Sequence, residues 1–577
     1  MNQSLLNKRI ELLGLIIFIV AFLFVGRLFY LQIIKHDHYV ALADNEQLKR
    51  LKLPAKRGTI YVKDGSSVRP LVLNQPIYTV FADPKITKED DKIISTVKDV
   101  AGGNAKKNLE DLLAKKDTRY QILATGLTRH QADLIKEKKL SGIGFQEGTQ
   151  RVYPEGSLAS QVLGFVDHSG EGRYGVEGKL NDRLKGEDGL LQSVTDVSSV
   201  PLTIGGKNIN QPAKNGDNLV LTIDRNIQYQ VEQTLLKYKE KFGADSLSAV
   251  VMDANTGAVL GMANLPDYKP AEFNKVTDIS SFNNNVISLD YEPASTIKPF
   301  SLAAAIDTGA IRPTDTYVNT DSIKVEDRVI NNALKGHTGT LTFQQVLNLS
   351  SNTGTVTAFK RMGNGNNITK EARQTVYSYF HDRFGLGRKT GIELTGEVPG
   401  MVISPEEQEG NAVRYSNMSF GQGLYPTMIQ AVSGYSALVN GGKYFQPTVV
   451  AGVVDNNGKY VQDAVKAGEQ IIKESTSVTM QEMTNQSLNS YTYSTHKKGY
   501  NIGGKTGTAE VIRNGAYTKD ETIASFLGHG GDNNQKYAIM VRVSKKGSKM
   551  EGTTHSMPIF NEISNFMIDY LGIKTKG

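Results

Sequence analysis

The sequence contains no cysteine. That absence removes disulfide frameworks, thiol nucleophiles, iron–sulfur clusters and cysteine-based zinc sites together. Proline is sparse, 17 residues against 56 glycines in a chain of 577, and together with 39% hydrophobic and 22% charged residues this composition excludes collagen-like, coiled-coil and wholly disordered classes. Charge of one sign is scarce too. Lys plus Arg total 66 and Asp plus Glu 59, a net of +7, which is too thin for a nucleic-acid-binding surface. The densest basic stretch, Lys49 to Arg57, reads as a solvated linker or as a segment drawn to an anionic membrane surface. Long apolar runs are absent but for one. The chain as a whole, with 39% hydrophobic and 22% charged residues, has the composition of ordinary globular protein, and its length argues for about three to five structural units.

The one long apolar run covers Leu12 to Ile34, interrupted by Arg27 and Gln32. As a helix it would span roughly 35 Å, enough to cross a bilayer. Lys8 and Arg9 precede it, as in a secretory signal, but no A-x-A-like cleavage site follows, so an uncleaved anchor is expected. Positive charges after the span outnumber those before it, yet long domains translocate largely regardless of such charges. The expected layout is a cytoplasmic tail over 1–10, a single transmembrane anchor over 11–34 and an extracytoplasmic body. Arg27 within the span would snorkel or meet a polar partner on a neighbouring helix.

From 35 to 215 the chain is mixed and glycine-punctuated, with a β-like run at Pro76 to Phe81, a helical stretch around Ile93 to Lys116, and no catalytic constellation. A domain boundary is placed near 215. Beyond it Asn218 to Ile223 reads as a strand, Asp224 as the cap of an amphipathic helix through Ile227, Val231, Leu235 and Leu236, and two apolar runs, Leu247–Asp253 and Ala258–Ala263, as a hairpin. Near the end, Tyr500–Ile512, Thr522–Gly528 and Lys536–Ser544 are three strands joined by turns, hence antiparallel. Pro558 to Leu571 carries apolar residues at helical spacing and suits a sheet-covering helix. The expected class is α/β: a mixed α+β pedestal over 35–215 and a second domain over 216–577 with a central antiparallel sheet flanked by helices.

The chain has 9 histidines but no H-E-x-x-H, and His36-Asp37-His38 beside the anchor reads as a solvated interface cluster. No G-x-S-x-G elbow or phosphate-binding G-x-x-x-x-G-K loop occurs. A nucleophile would therefore need activation by something other than histidine, and three short motifs in order supply it: Ser295-Thr-Ile-Lys298, Ser350-Ser351-Asn352 and Lys505-Thr506-Gly507-Thr508. Each alone is weak. Ser295 follows Tyr291-Glu-Pro293 and opens an apolar run from Phe300 to Ile306, which places it at a helix start. Lys298, three residues on, shares that face and lies within reach of the Ser295 hydroxyl. Burial and a neighbouring cation lower a lysine pKa, so Lys298 is a candidate neutral base.

These residues make the chain resemble a class B penicillin-binding protein, a membrane-anchored serine transpeptidase of bacterial peptidoglycan. The likeness extends to Arg151-Val-Tyr153-Pro154, Leu163-Gly164-Phe165 and Tyr174-Gly175-Val-Glu177 in the pedestal, whose family counterpart is dimerisation-like. It continues through Leu221-Thr-Ile-Asp224 with Gln228, Phe384-Gly-Leu-Gly387, Ser419-Phe-Gly-Gln-Gly423 and Asn440-Gly-Gly442. The resemblance implies a D,D-transpeptidase in which Ser295 attacks the penultimate D-Ala of a D-Ala-D-Ala stem peptide, releases the last D-Ala and forms an acyl-enzyme. Lys298 would take the serine proton, Ser350 relay a proton to the leaving amine, and Asn352 orient the peptide and hold Lys298. Lys505 would add positive potential for the terminal carboxylate, with Thr506, Gly507 and Thr508 binding substrate along a strand. The backbone N–H groups of Ser295 and Thr508 would form the oxyanion hole.

The resemblance further implies β-lactam binding, a polytopic glycosyltransferase and other cell-wall synthesis proteins as partners, no nucleic acid, no cofactor and no metal. The compact size and short pedestal favour septal over side-wall synthesis. A D,D-carboxypeptidase or β-lactamase, and a non-catalytic sensor or scaffold, are the competing readings. Three departures from the family pattern stand out. Residues 57–65 read Arg-Gly-Thr-Ile-Tyr-Val-Lys-Asp-Gly rather than R-G-x-I-x-D-R-N-G. Ala294 stands where glycine usually precedes the nucleophile, and its methyl is expected to narrow backbone freedom. His529-Gly-Gly replaces a proline-containing turn after Gly528.

Overall fold

A computed structural model describes residues 3–39, 48–194, 209–513 and 515–576. The chain forms two compact units, 1–57 with 185–216, and 58–184 with 217–577. The smaller contains the helix Gln3–Phe29, which closes in a π-turn over Tyr30–Ile34. Among the described residues one helix, Lys8–Ile34, is long and apolar enough to cross a membrane. The Arg27 guanidinium sits over the Tyr30 ring, 5.5 Å from its centroid, so the charge has an aromatic partner within its own helix. The basic stretch expected as a linker is partly strand: Leu48–Leu53 pairs antiparallel with Gly189–Val194, which pairs with Ile209–Gln211.

In the larger unit, the strand Asn218–Asp224 runs parallel to Ile60–Asp64 and antiparallel to Val450–Val454. The sheet continues through Ser67–Ala82 to Gln121–Leu127, with Ile143–Val152 also on Ser67–Ala82. The segment 57–65 that departs from the family pattern thus forms an ordinary strand, and Gly65 N donates to Asp224 Oδ2 at 3.2 Å. Asp224 is the helix cap that its position predicts, accepting from Asn226 N and Ile227 N, and Gly243 at φ +57 ends that helix. The helical stretch around 93–116 is two helices, Asp90–Ala101 and Leu109–Ala114. Gly102, at φ +52, stops the first. A buried ion pair, Arg151 Nε to Glu177 Oε1 at 2.7 Å, joins two of the pedestal stretches singled out by sequence.

The second sheet carries five antiparallel strands in the order Val259–Leu265, Ser246–Asp253, Lys536–Ser544, Ala516–Gly531, Asn501–Arg513. Residues alternate between its faces. Leu247, Ala249, Val251, Phe526, Ile539 and Val541 pack under the helices Arg225–Phe242 and Met557–Leu571. Val250, Met252, Leu527 and Met540 belong to the larger core with Phe300, Phe384 and Tyr435. The strand expected to end at Gly528 runs on to Gly531. His529 lies inside the strand Ala516–Gly531, opposite Ala538, with Nδ1 3.1 Å from Tyr435 Oη, and the chain turns only at Asp532 to Gln535. Pairing with Lys536–Ser544 carries the strand past the glycines that suggested its end.

Candidate active site

Ser295 sits in a single 3-10 turn, Ala294–Ile297, and Lys298 opens the helix Lys298–Asp307. Two close approaches hold this turn. Gly421, at φ +94, comes so near that a Cβ there would lie 2.0 Å from Ala294 O, and Ala294 N donates to Gly421 O at 3.1 Å. On the other side Gly507 lets the edge strand press against the turn, since a Cβ there would meet Pro293 O at 2.8 Å and Thr296 Cγ2 at 2.9 Å. Ala294 itself is left-handed, φ +47. An alanine in that region carries about 1–2 kcal/mol of steric strain.

The middle motif spans the break between the helices Phe343–Asn348 and Asn352–Met362. Ser350 is left-handed, φ +56, which turns its hydroxyl toward the nucleophile. Ser350 Oγ lies 2.9 Å from Ser295 Oγ and 3.1 Å from Lys298 Nζ. Lys298 Nζ also donates to Ser350 O at 2.5 Å and to Asn352 Oδ1 at 2.8 Å. The route from Ser295 to Lys298 therefore passes through Ser350, where the sequence suggested direct contact along a helical face. The left-handed Ser350 is the reason, since it sets its hydroxyl between Ser295 Oγ and Lys298 Nζ. Asn352 Nδ2 donates to Asn331 O at 2.9 Å, and Ser351 caps the helix through Gly354 N.

Lys298 is fully buried. Burial, and then the charge of Lys505, hold its pKa well below the usual lysine value. Lys505 is also buried; its Nζ donates to Tyr491 Oη at 3.0 Å and to Thr506 O and Thr506 Oγ1 at 3.3 Å. Thr508 Oγ1 accepts from Gly552 N at 3.1 Å, which leaves its own proton available to a ligand. All eight residues drawn from the motifs surround one region: Ser295, Lys298, Ser350, Asn352 and the run Lys505 to Thr508.

Two participants escaped the motifs. Glu292 accepts from Gly423 N at 2.7 Å and Tyr517 Oη at 3.0 Å, tying the nucleophile segment to the loop that clamps it and to the start of the long strand. Burial pushes its carboxyl up. Tyr491 pairs with Lys505 and Thr506. Burial would raise its phenol, but the Lys505 charge and the hydrogen bonds outweigh it and hold the pKa below the usual tyrosine range. Glu292 stands next to a quoted motif; Tyr491 stands in a segment that carries no signal. A cleft of about 740 Å³ opens at Ser295, lined also by Glu292, Asn331, Phe420, Thr508 and Glu510. Among the described residues no group of three or more His, Asp or Glu is placed to hold a metal ion.

Chemically, the arrangement offers a hydroxyl nucleophile, a hydrogen-bonded path to a buried amine with a depressed pKa, and an edge strand beside both. Comparison with known proteins fits that description. The family model for the penicillin binding protein transpeptidase domain matches residues 247–565, and that for the penicillin-binding protein dimerisation domain matches 52–221. Stage V sporulation protein D of Bacillus subtilis is 30% identical over 100% of this chain and 88% of its own length. The peptidoglycan D,D-transpeptidase FtsI of Escherichia coli is 29% identical, covering 99% and 93%. Among solved structures, penicillin binding protein 2X from Streptococcus thermophilus superimposes with a TM-score of 0.72 at 25% identity, over 91% of this chain and 81% of that one.

Proposed function

The chain belongs to the penicillin-binding-protein transpeptidase family, and we propose that it is a peptidoglycan D,D-transpeptidase with Ser295 as its nucleophile. One observation carries the assignment: the hydrogen-bonded path Ser295 Oγ, Ser350 Oγ, Lys298 Nζ, ending on a buried amine. A neutral lysine has two N–H bonds and one lone pair. With the two N–H bonds on Ser350 O and Asn352 Oδ1, the lone pair faces Ser350 Oγ. Ser350 Oγ donates to Ser295 Oγ in the resting arrangement. Rotation of both hydroxyls, so that Ser295 donates to Ser350 and Ser350 to Lys298, lets attack of Ser295 Oγ on the penultimate D-Ala carbonyl move a proton to Lys298 through Ser350. The same path returns it to the amine of the departing D-Ala. The acceptor amine of a second stem peptide then attacks the ester and frees Ser295.

In this reading Asn352 orients Lys298 through Oδ1, and Lys505 keeps Lys298 neutral while adding positive potential for the substrate carboxylate. Thr506 and Thr508 donate hydroxyls to that carboxylate, Gly507 admits the nucleophile turn, and the N–H groups of Ser295 and Thr508 receive the oxyanion. The pedestal is taken as 35–215 and the transpeptidase domain as 216–577; family matches over 52–221 and 247–565 support a division into two such domains. Residues 1–10 form a cytoplasmic tail and 11–34 a single-pass anchor with the catalytic domain outside. A polytopic glycosyltransferase and other cell-wall synthesis proteins are the expected partners. Septal rather than side-wall synthesis is assigned on the short pedestal; depletion should give filaments, whereas rounded cells would place the enzyme in elongation.

The test is covalent trapping. A β-lactam opened by Ser295 keeps its leaving amine tethered and blocks the acceptor. Intact-mass spectrometry of the full chain in detergent should show one adduct equal to the whole drug, mapped to the peptide holding Ser295 and absent in Ser295→Ala. Rapid release of hydrolysed drug would favour a β-lactamase, and an adduct on Ser350 or Ser351 would overturn the nucleophile.

A further inference from the structure

Tyr491 is separated from Lys505 by 14 positions and lies outside every catalytic motif, yet its side chain closes on two residues of the edge strand. Its phenol oxygen receives a hydrogen bond from Lys505 Nζ at 3.0 Å and lies 2.9 Å from Thr506 Oγ1. Lys505 Nζ reaches the same Thr506 Oγ1 at 3.3 Å. Counting protons limits the polarity of this triangle. An ammonium donates and never accepts, so the phenol must accept from Lys505. The phenol has one proton of its own, and either oxygen of the Tyr491–Thr506 pair can be the donor. With the phenol as donor, Thr506 Oγ1 receives two hydrogen bonds, from Lys505 Nζ and from the phenol, and its own O–H is left to donate to an incoming group.

We infer that Tyr491 is a positioning residue that fixes Thr506 as a hydrogen-bond donor and so selects donor peptides and β-lactams ending in a free carboxylate. A carboxylate only accepts, and a hydroxyl locked as a donor meets it without reorientation; a bond to that charge is roughly twice as strong as one to a neutral carbonyl. The aromatic ring is not what matters. Phenylalanine preserves the ring and its packing but removes both bonds, so the Thr506 hydroxyl is freed to rotate and Lys505 loses a ligand. This inference rests on the transpeptidase reading.

The experiment measures acylation of the full chain in detergent by benzylpenicillin and by its methyl ester, the latter at correspondingly higher concentration, with intact-mass readout and thermal midpoints of every variant. Tyr491→Phe should slow acylation by the carboxylate form about tenfold, through a weaker initial complex rather than a slower chemical step. It should slow the ester less than about twofold. In a Thr506→Val background, Tyr491→Phe should have no further effect on the carboxylate form, because the two residues act as a unit. Equal losses on both probes, or losses that simply multiply with Thr506→Val, would overturn the inference and leave Tyr491 as packing. Failure of the wild type to form any adduct would instead overturn the transpeptidase reading itself.

Discussion

Gly421→Ala should disable the nucleophile without touching it. At φ +94 the new residue would occupy a left-handed conformation, and its Cβ would lie 2.0 Å from Ala294 O, where real Cβ contacts do not fall below 3.0 Å. The two backbones must therefore separate by about 1 Å, and Ser295 follows Ala294 directly. A misplacement of that size removes about a hundredfold from a rate that depends on alignment, or about 2.7 kcal/mol of barrier. The backbone term alone, about 1–2 kcal/mol, should appear as lost stability. Gly458→Ala separates the two effects, because Gly458 is left-handed at φ +78 with nothing within 4 Å of its Cβ position. The assay is the second-order rate constant for acylation by a fluorescent penicillin, with a thermal midpoint on the same samples. Expected are a rate about a hundredfold lower for Gly421→Ala and one within about twofold of wild type for Gly458→Ala, with both midpoints lowered. A folded Gly421→Ala protein acylating within about threefold of wild type would refute the claim that this contact places Ser295.

Lys298→Met should abolish acylation as completely as Ser295→Ala. Between the lowered native pKa of Lys298 and its unfolded value near 10.4, only the unfolded chain holds the proton, so this lysine makes stability rise with pH. The variant should show a flatter dependence of thermal midpoint on pH, and an unchanged slope would mean that the amine is not buried neutral. Glu177→Ala leaves Arg151 buried without its carboxylate, which should lower stability by about 3–5 kcal/mol while acylation per folded molecule stays constant; an unmoved midpoint would contradict the pairing. Burial holds the His529 pKa down at about 3. Below pH 6.5 the unfolded chain gains a proton that the folded one refuses, so stability falls as pH drops. Between pH 7 and 5 the share of His529 is about 2 kcal/mol, and His529→Gln should remove that share from thermal midpoints recorded across the range.

Local chemistry made much of this protein legible from sequence. The apolar run from Leu12 to Ile34 has the length of a bilayer and lies in a helix. The antiparallel strands follow from alternating residues and the short turns between them, and Asp224 caps its helix because a carboxylate satisfies orphan N–H groups in that position. The three motifs announced their residue types and order, since Ser, Lys and Asn in that sequence have few uses together. Sequence did not set the path between them. Whether Ser295 meets Lys298 directly or through Ser350 depends on the left-handed Ser350, whose hydroxyl lies between the two, and on Gly421 and Gly507 pressing the nucleophile turn from both sides. The strand legible over Thr522–Gly528 runs on through His529 to Gly531, because its pairing with Lys536–Ser544 continues there. Tyr491 is the clearest case of what only the fold decides. A tyrosine between Ser490 and Thr492 has no pattern of its own, and it gains its hydrogen bonds only when the end of the helix Glu474–Asn489 is laid beside the strand carrying Lys505. Sequence records the chemistry each side chain can perform over a few neighbouring residues, whereas the depressed pKa of Lys298 and the polarity of Thr506 are set by charges and donors brought from segments distant along the chain.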